Sequence, residues 1–131
     1  MDQEKNLCEY SERITCEIPF RLPSLNEYIR ACRSNKYEGY RMKADVEKNI
    51  MWFINSIPKF ENPVIIEFTW IEENKRRDLD NIAFAKKFIL DALVKAGKLK
   101  NDNRRNVTAF RDNFDYSNKS KVILKFFEKN V

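Results

Sequence analysis

Pro63 opens the segment that most restricts how this chain can fold. Val64-Ile65-Ile66-Glu67-Phe68-Thr69-Trp70-Ile71 is dense in β-branched and aromatic residues, and it reads as a central strand. Helical periodicities flank it on both sides, so an all-β sandwich and a simple helical bundle are both excluded. The chain has 131 residues, enough for one hydrophobic core and too few for two, so residues 1–131 are expected to form a single domain.

The remaining elements follow from the spacing of apolar residues. Residues 1–12 are polar and acidic without a clear period and are expected to be a loosely ordered terminus. Arg13 to Phe20 alternates, with Ile14, Cys16, Ile18 and Phe20 on one face, and predicts a half-buried strand. From Ser24 the period lengthens: Leu25, Tyr28, Ile29 and Cys32 fit a short helix with Ser24 as N-cap and Glu27 completing a capping box. A longer helix is predicted from about Tyr40 to Ile57, closed by Pro58. After the central strand comes a charged loop, Glu72 to Arg77, and then Asp78-Leu79-Asp80-Asn81 and a helix to about Ala96, with Gly97 as its C-terminal cap. On that helix Ile82, Ala85, Phe88, Ile89, Ala92, Leu93 and Ala96 share the core side, leaving Asp80, Phe84, Lys87 and Asp91 opposite. Val107 to Phe110 and Lys121 to Glu128 read as two more strands joined as a hairpin across Asp112 to Lys119. The expected architecture is therefore α+β, with about four strands in one sheet and helices mainly on one face.

Composition narrows the chemistry. There is no histidine, which excludes imidazole bases, imidazole metal ligands and Ser-His-Asp triads. Carboxylates remain for proton transfer and metal binding, and all-oxygen sites select Mg²⁺ or Mn²⁺. Cys8, Cys16 and Cys32 cannot all pair within one chain and show no zinc spacing, so they are expected to be reduced. The formal net charge of +5 suits a polyanionic partner. No apolar run approaches the roughly 18 residues of a membrane span, and the first residues lack the order of a signal peptide, so a cytoplasmic location without membrane association is expected.

Asp78 and Asp80 are the sharpest candidates for chemistry. They lie where a strand ends and a helix begins, and two carboxylates this close repel unless a cation separates them. A Mg²⁺ held by one or two carboxylates, water and phosphate oxygens fits that position, and helix N-termini attract phosphate. The structural alternative is that one of them simply caps the helix. Asp91 and Lys87, four apart on a polar face, form at minimum a surface pair, and Asp102 can be a solvated turn residue. Lys75, Arg76, Arg77, Lys86, Lys98, Lys100, Arg104 and Arg105 bracket the aspartates, and Arg30 and Arg33 lie on the exposed side of the first helix; a phosphate backbone or plain solvation would account for them. Phe84, on the polar face, suggests a subunit contact, a stacking surface or a covering layer.

The order Arg77-Asp78-Leu79-Asp80-Asn81, Lys87-Phe88-Ile89-Leu90-Asp91-Ala92-Leu93, Gly97 and Asn101-Asp102 resembles the RusA family of Holliday junction resolvases, common in phages and prophages. Pro23-Ser24-Leu25-Asn26 is similar to that family's N-terminal element, and the resemblance runs from about residue 13 to 128. It implies a RusA-like fold and a homodimeric endonuclease that cuts four-way DNA junctions symmetrically with Mg²⁺ or Mn²⁺. By position it implies that Asp78, Asp80 and Asp102 are catalytic metal ligands, that Asp91 is a further acidic ligand, and that Lys87 is the functional lysine. The stretch from Asn81 to Lys87 is longer than in well-known members, so Lys86 competes for that role. The acidic pair is Asn101-Asp102, one carboxylate fewer. A binding module without hydrolytic activity on the same scaffold, or an assembly protein with a basic surface, are the competing readings. Reach sets a further expectation. A straight helix over 81–96 carries the chain roughly 24 Å from Asp80, and residues 97–102 can return at most about 20 Å, so Asp102 either runs straight back along the helix or is donated by a partner subunit.

Overall fold

The computed structural model describes residues 9–131; Cys8 and most of the expected loose terminus lie outside the described residues. The element order is β1 (Tyr10–Ile18), α1 (Leu25–Ser34), α2 (Glu38–Ile54), β2 (Val64–Glu72), α3 (Leu79–Ala83), α4 (Lys86–Lys95), β3 (Val107–Tyr116) and β4 (Lys121–Lys129). The four strands form one sheet in the order β1-β4-β2-β3, so β2 is central, as its composition requires. β4 runs antiparallel to β1 and to β2, while β2 and β3 are parallel. The fold is α+β, with a mixed sheet.

One face of the sheet carries the core. Val64, Ile66, Phe68 and Trp70 of β2, Val122, Leu124 and Phe126 of β4, and Cys16 and Ile18 of β1 meet Ile50 and Ile54 of α2 and Phe88, Ile89, Ala92 and Leu93 of α4. Ile65 and Ile71 are buried on the opposite face and do not join this cluster. The helices therefore cover a single side. α2 packs between α1 and α4.

Local signals in the sequence operate as expected at two helix ends. Ser24 accepts from the Glu27 amide at 3.2 Å and Glu27 Oε1 accepts from the Ser24 amide at 2.9 Å, a complete capping box. At the end of α4, Gly97 takes φ +75°, and the Gly97 and Lys98 amides donate to the Val94 and Leu93 carbonyls, the paired bonds of a Schellman motif.

Three expectations are corrected. β1 begins at Tyr10, so residues 10–12 belong to the sheet, with a register shift between Glu12 and Ile14. β3 runs on to Tyr116 and does not form a hairpin with β4, because β2 lies between them. The apolar alternation of Val122, Leu124 and Phe126 gains most by pairing on both sides, while β3, with Asp112, Asn113 and Asp115, tolerates an edge. Four residues, 117–120, then cross the end of β2, where the Ser117 amide bonds the Glu72 carbonyl at 2.9 Å. Finally, the helix expected over 81–96 is two helices. Bonds of the i to i−3 type at Ala85, Lys87 and Phe88 tighten the turn at Phe84-Ala85 and reset the direction of the chain.

Candidate active site

The charged loop after β2 is closed by a fork. Arg77 Nε and Nη2 donate to the two oxygens of Glu72 at 2.8 and 2.7 Å, and Nη1 donates to the Leu22 carbonyl at 3.2 Å. A bidentate guanidinium-carboxylate pair is rigid in direction as well as strong. Arg77, expected to bind phosphate, is thus occupied inside the protein, and it delivers the chain into Asp78 at a fixed place. Next to it, the Asn26 amide donates to Asn81 Oδ1 at 3.2 Å, which brings the Pro23–Asn26 element against Asp78–Asn81.

Asp78 occupies the N-cap position of α3 with extended backbone (φ −69°, ψ 154°), yet its side chain makes no capping hydrogen bond. Its carbonyl does the helical work, accepting from the Ile82 amide at 3.1 Å. Asp80 is exposed and its Oδ1 accepts only from the neighbouring Asn81 amide, at 3.0 Å. Both carboxylates are therefore spare. With five residues, α3 is too short to offer the helix N-terminus that a continuous 81–96 helix would have aimed at a phosphate.

A second charged cluster is a chain of alternating charges along α2 and α4. Lys87 Nζ lies 3.1 Å from Asp91 Oδ1 and 3.5 Å from Asp102 Oδ2. Lys43 Nζ takes the other oxygen of Asp91 at 2.8 Å and stands 3.7 Å from Glu47 Oε2, while Lys95 bonds Glu47 Oε1. Burial would push the Asp91 carboxyl up, but the hydrogen bonds and charges of Lys43 and Lys87 outweigh it and hold the group below the ordinary carboxylate range. Reciprocally, the bond to Asp91 raises Lys43 and Lys87 above the usual lysine value. Glu47 is 2% exposed, and its Oε2 has no hydrogen bond.

Of the two candidate lysines, Lys87 is the one beside the acids. Lys86 turns to β3, where it meets Asp112 Oδ2 at 2.7 Å and sits over the Phe110 ring at 4.4 Å; Trp70 Nε1 holds the other oxygen of Asp112 at 2.8 Å. Asp102 reaches Lys87 within its own subunit, so residues 97–102 run back along α4, with the Leu99 amide bonding the Leu93 carbonyl at 3.3 Å, but among the described residues Asp102 is not gathered with Asp78 and Asp80 into one acidic group. Phe84 is covered, not exposed: its ring lies 5.5 Å from those of Tyr28 and Phe88, so α1 is the covering layer. Among the basic residues, Lys98 Nζ donates to the Asn55 carbonyl at 2.9 Å and Lys75 lies over Tyr116. Arg76 and Arg77 line, with Arg21 and Ser120, a cavity of about 270 Å³ beside the loop. Lys100, Arg104 and Arg105 are exposed on the loop that carries Asp102, and Arg30 and Arg33 are exposed on α1.

Protein-family models and curated protein sequences give no match to this chain.

Among the described residues, no three carboxylate or cysteine groups are gathered closely enough to hold a metal ion, so Asp78, Asp80, Asp91 and Asp102 do not form one preformed cage. The donor chemistry still suits Mg²⁺, which binds through one or two carboxylates and takes its other oxygens from water and phosphate. Asp78 and Asp80, two residues apart at the start of α3, are the candidate carboxylates with no ion pair among the described residues. Sequence patterns pointed to both of them, but not to Lys43 or Glu47. The available signal was Glu47 itself, a carboxylate one turn from Ile50 on the apolar stripe of α2. No helix among the described residues is long and apolar enough to cross a membrane.

Proposed function

We propose that this protein is a Mg²⁺-dependent endodeoxyribonuclease of the RusA type, a cytoplasmic homodimer that resolves four-way DNA junctions by symmetric strand cutting. The observation that carries this reading is Asp78: it stands at a helix N-cap but does not cap, so the structural explanation for an aspartate there is withdrawn. Asp78 and Asp80 would hold Mg²⁺ or Mn²⁺, and the bound ion supplies Lewis-acid activation of the phosphate and of the attacking water. Lys87 contributes positive charge against the developing negative charge of the transition state, with Asp91 fixing its direction at 3.1 Å. Asp102 faces Lys87 from the basic loop, whose Lys100, Arg104 and Arg105 hold the DNA backbone. No step needs an imidazole, in keeping with a chain that has none.

The test is cleavage of an end-labelled synthetic four-way junction with Mg²⁺ or with EDTA, comparing the native protein with Asp78→Asn and Asp80→Asn. Paired nicks that require the metal and vanish in both variants are expected. Salt-sensitive junction binding with no nicking under Mg²⁺ or Mn²⁺ would overturn the enzyme and leave a binding module.

A further inference from the structure

The most exposed aromatic side chains at the α1-α2 corner are Tyr37 and Tyr40, at 61% and 78%, and they are held outward by built features. Asn35 Oδ1 accepts from the amides of Tyr37 at 2.9 Å and Glu38 at 3.1 Å, which fixes the turn between the helices. One residue before Tyr40, Gly39 is buried against Cys32. A Cβ there would run into the Cys32 Sγ and come within 3.3 Å of the Cys32 Cα, so the two helices approach closely at Gly39, with Tyr40 exposed beside it. Lys36 Nζ lies 5.1 Å from the centre of the Tyr37 ring, and Lys36, Tyr37 and Tyr40 line an open concavity of about 390 Å³.

The surrounding charge is basic. Arg30, Arg33, Lys36 and Arg41 against Glu38 leave a net +3 over residues 30–41. Among the described residues, Arg41 alone of the four is ion-paired, with Glu38 at 2.9 Å. The lining is two tyrosine rings and a lysine with no carboxylate among them, which suits an anionic partner that carries planar groups. Two aromatic faces with the unpaired Lys36 alongside, on a helix corner of net positive charge, suit a single-stranded nucleic acid: bases stack on the rings while cations follow the backbone. We infer that the α1-α2 corner is a stacking platform for the unpaired nucleotides of a single strand. This goes beyond the nuclease reading, whose four-way junction substrate is fully base-paired, and gives the protein a separate hold on single strands.

The experiment measures binding in EDTA, so it does not depend on cleavage. Fluorescence anisotropy of labelled oligo(dT) and of a duplex of matched length is recorded with the full chain, with Tyr37→Ala and Tyr40→Ala, and with Tyr37→Phe and Tyr40→Phe. Each alanine variant is expected to weaken oligo(dT) binding roughly 5-fold or more while duplex binding stays within about two-fold, and each phenylalanine variant is expected to keep native binding, because a π-face suffices. Circular dichroism of each variant confirms that the fold is intact. Native oligo(dT) affinity in both alanine variants, or equal loss toward duplex and single strand, overturns the platform. A change in oligomeric state on gel filtration with no change in oligo(dT) affinity likewise overturns it, in favour of a protein interface. Absence of junction cleavage with the oligo(dT) result intact would refute the nuclease and leave the platform standing.

Discussion

Glu47 and Lys95 are partners of unequal burial, and that inequality has a measurable consequence for stability. Glu47 is 2% exposed while the Lys95 side chain is 59% exposed, so only one of the two charges has given up its water. If Glu47 becomes Met, Lys95 swings to solvent, Lys43 keeps Asp91 at 2.8 Å, and no buried charge is left behind; the change should lie within about 1 kcal/mol of native, in either direction. If Lys95 becomes Met, the buried carboxylate keeps only Lys43, 3.7 Å from Oε2, and an oxygen that already lacks a hydrogen bond is joined by a second. Removing one partner of a buried pair costs roughly 3–5 kcal/mol, and the residual attraction of Lys43 reduces this to about 2–3 kcal/mol. The double variant should return to the Glu47→Met value, giving a coupling energy of about 2 kcal/mol. Urea unfolding followed by tryptophan fluorescence measures all four proteins. A Lys95→Met variant no less stable than Glu47→Met would refute the reasoning, since the cost would then not reside in the stranded carboxylate.

Ser24→Ala should cost about 1 kcal/mol by breaking the capping box, whereas Asp78→Asn should stay within about 0.5 kcal/mol because no capping bond is lost; thermal unfolding of the two separates them. Gly97→Ala should cost about 1 kcal/mol through its positive φ alone, since an added Cβ meets nothing within 4 Å; urea midpoints give the value. Asp91 has its folded carboxyl held below the ordinary range, so its contribution is fully present above about pH 4 and is lost as pH falls through the folded value. The stability gap between native and Asp91→Asn, measured in urea at pH 7 and again at pH 3, should therefore narrow in acid. Asp102→Asn should leave stability within about 0.5 kcal/mol, its ion pair with Lys87 being a surface contact at 3.5 Å, and should lower junction cleavage by roughly two orders of magnitude if Asp102 acts in the reaction.

What the sequence discloses is mostly what depends on near neighbours. Ser24 with Glu27, and Gly97 after Ala96, announce their caps within four residues, and the apolar run from Val64 announces a central strand by composition alone. The pairing of β4 with β2, and not with β3, is decided by which strand profits from two neighbours, and adjacency along the chain hides it. The break at Phe84-Ala85 was equally hidden. Ala83, Phe84 and Ala85 carry no proline or glycine and keep the helical period, but the tightened turn rotates Phe84 from the polar face onto Tyr28. In the site, the Asp78-Asp80 turn is legible as a motif. Lys43 and Glu47 are not, because their role depends on α2 lying against α4, more than forty residues away in sequence.

The four aspartates grouped by their resemblance to one acidic site are separated by the structure according to what each already does. Asp91 is engaged on both oxygens, by Lys43 and Lys87, and its loss leaves those lysines only the longer contacts to Glu47 and Asp102. It therefore acts first as a brace between α2 and α4. Asp102 has one distant partner on an exposed loop, Asp80 has only its neighbour's amide, and Asp78 fills a capping position without capping. Among the described residues, Asp78 and Asp80 are thus left to solvent, with no internal side-chain partner beyond that one amide. Lys87 joins the two groups, touching the brace through Asp91 and the spare set through Asp102. Its ammonium, 57% exposed, meets one acid on its own helix and one on the basic loop, so it is held by two contacts of different origin.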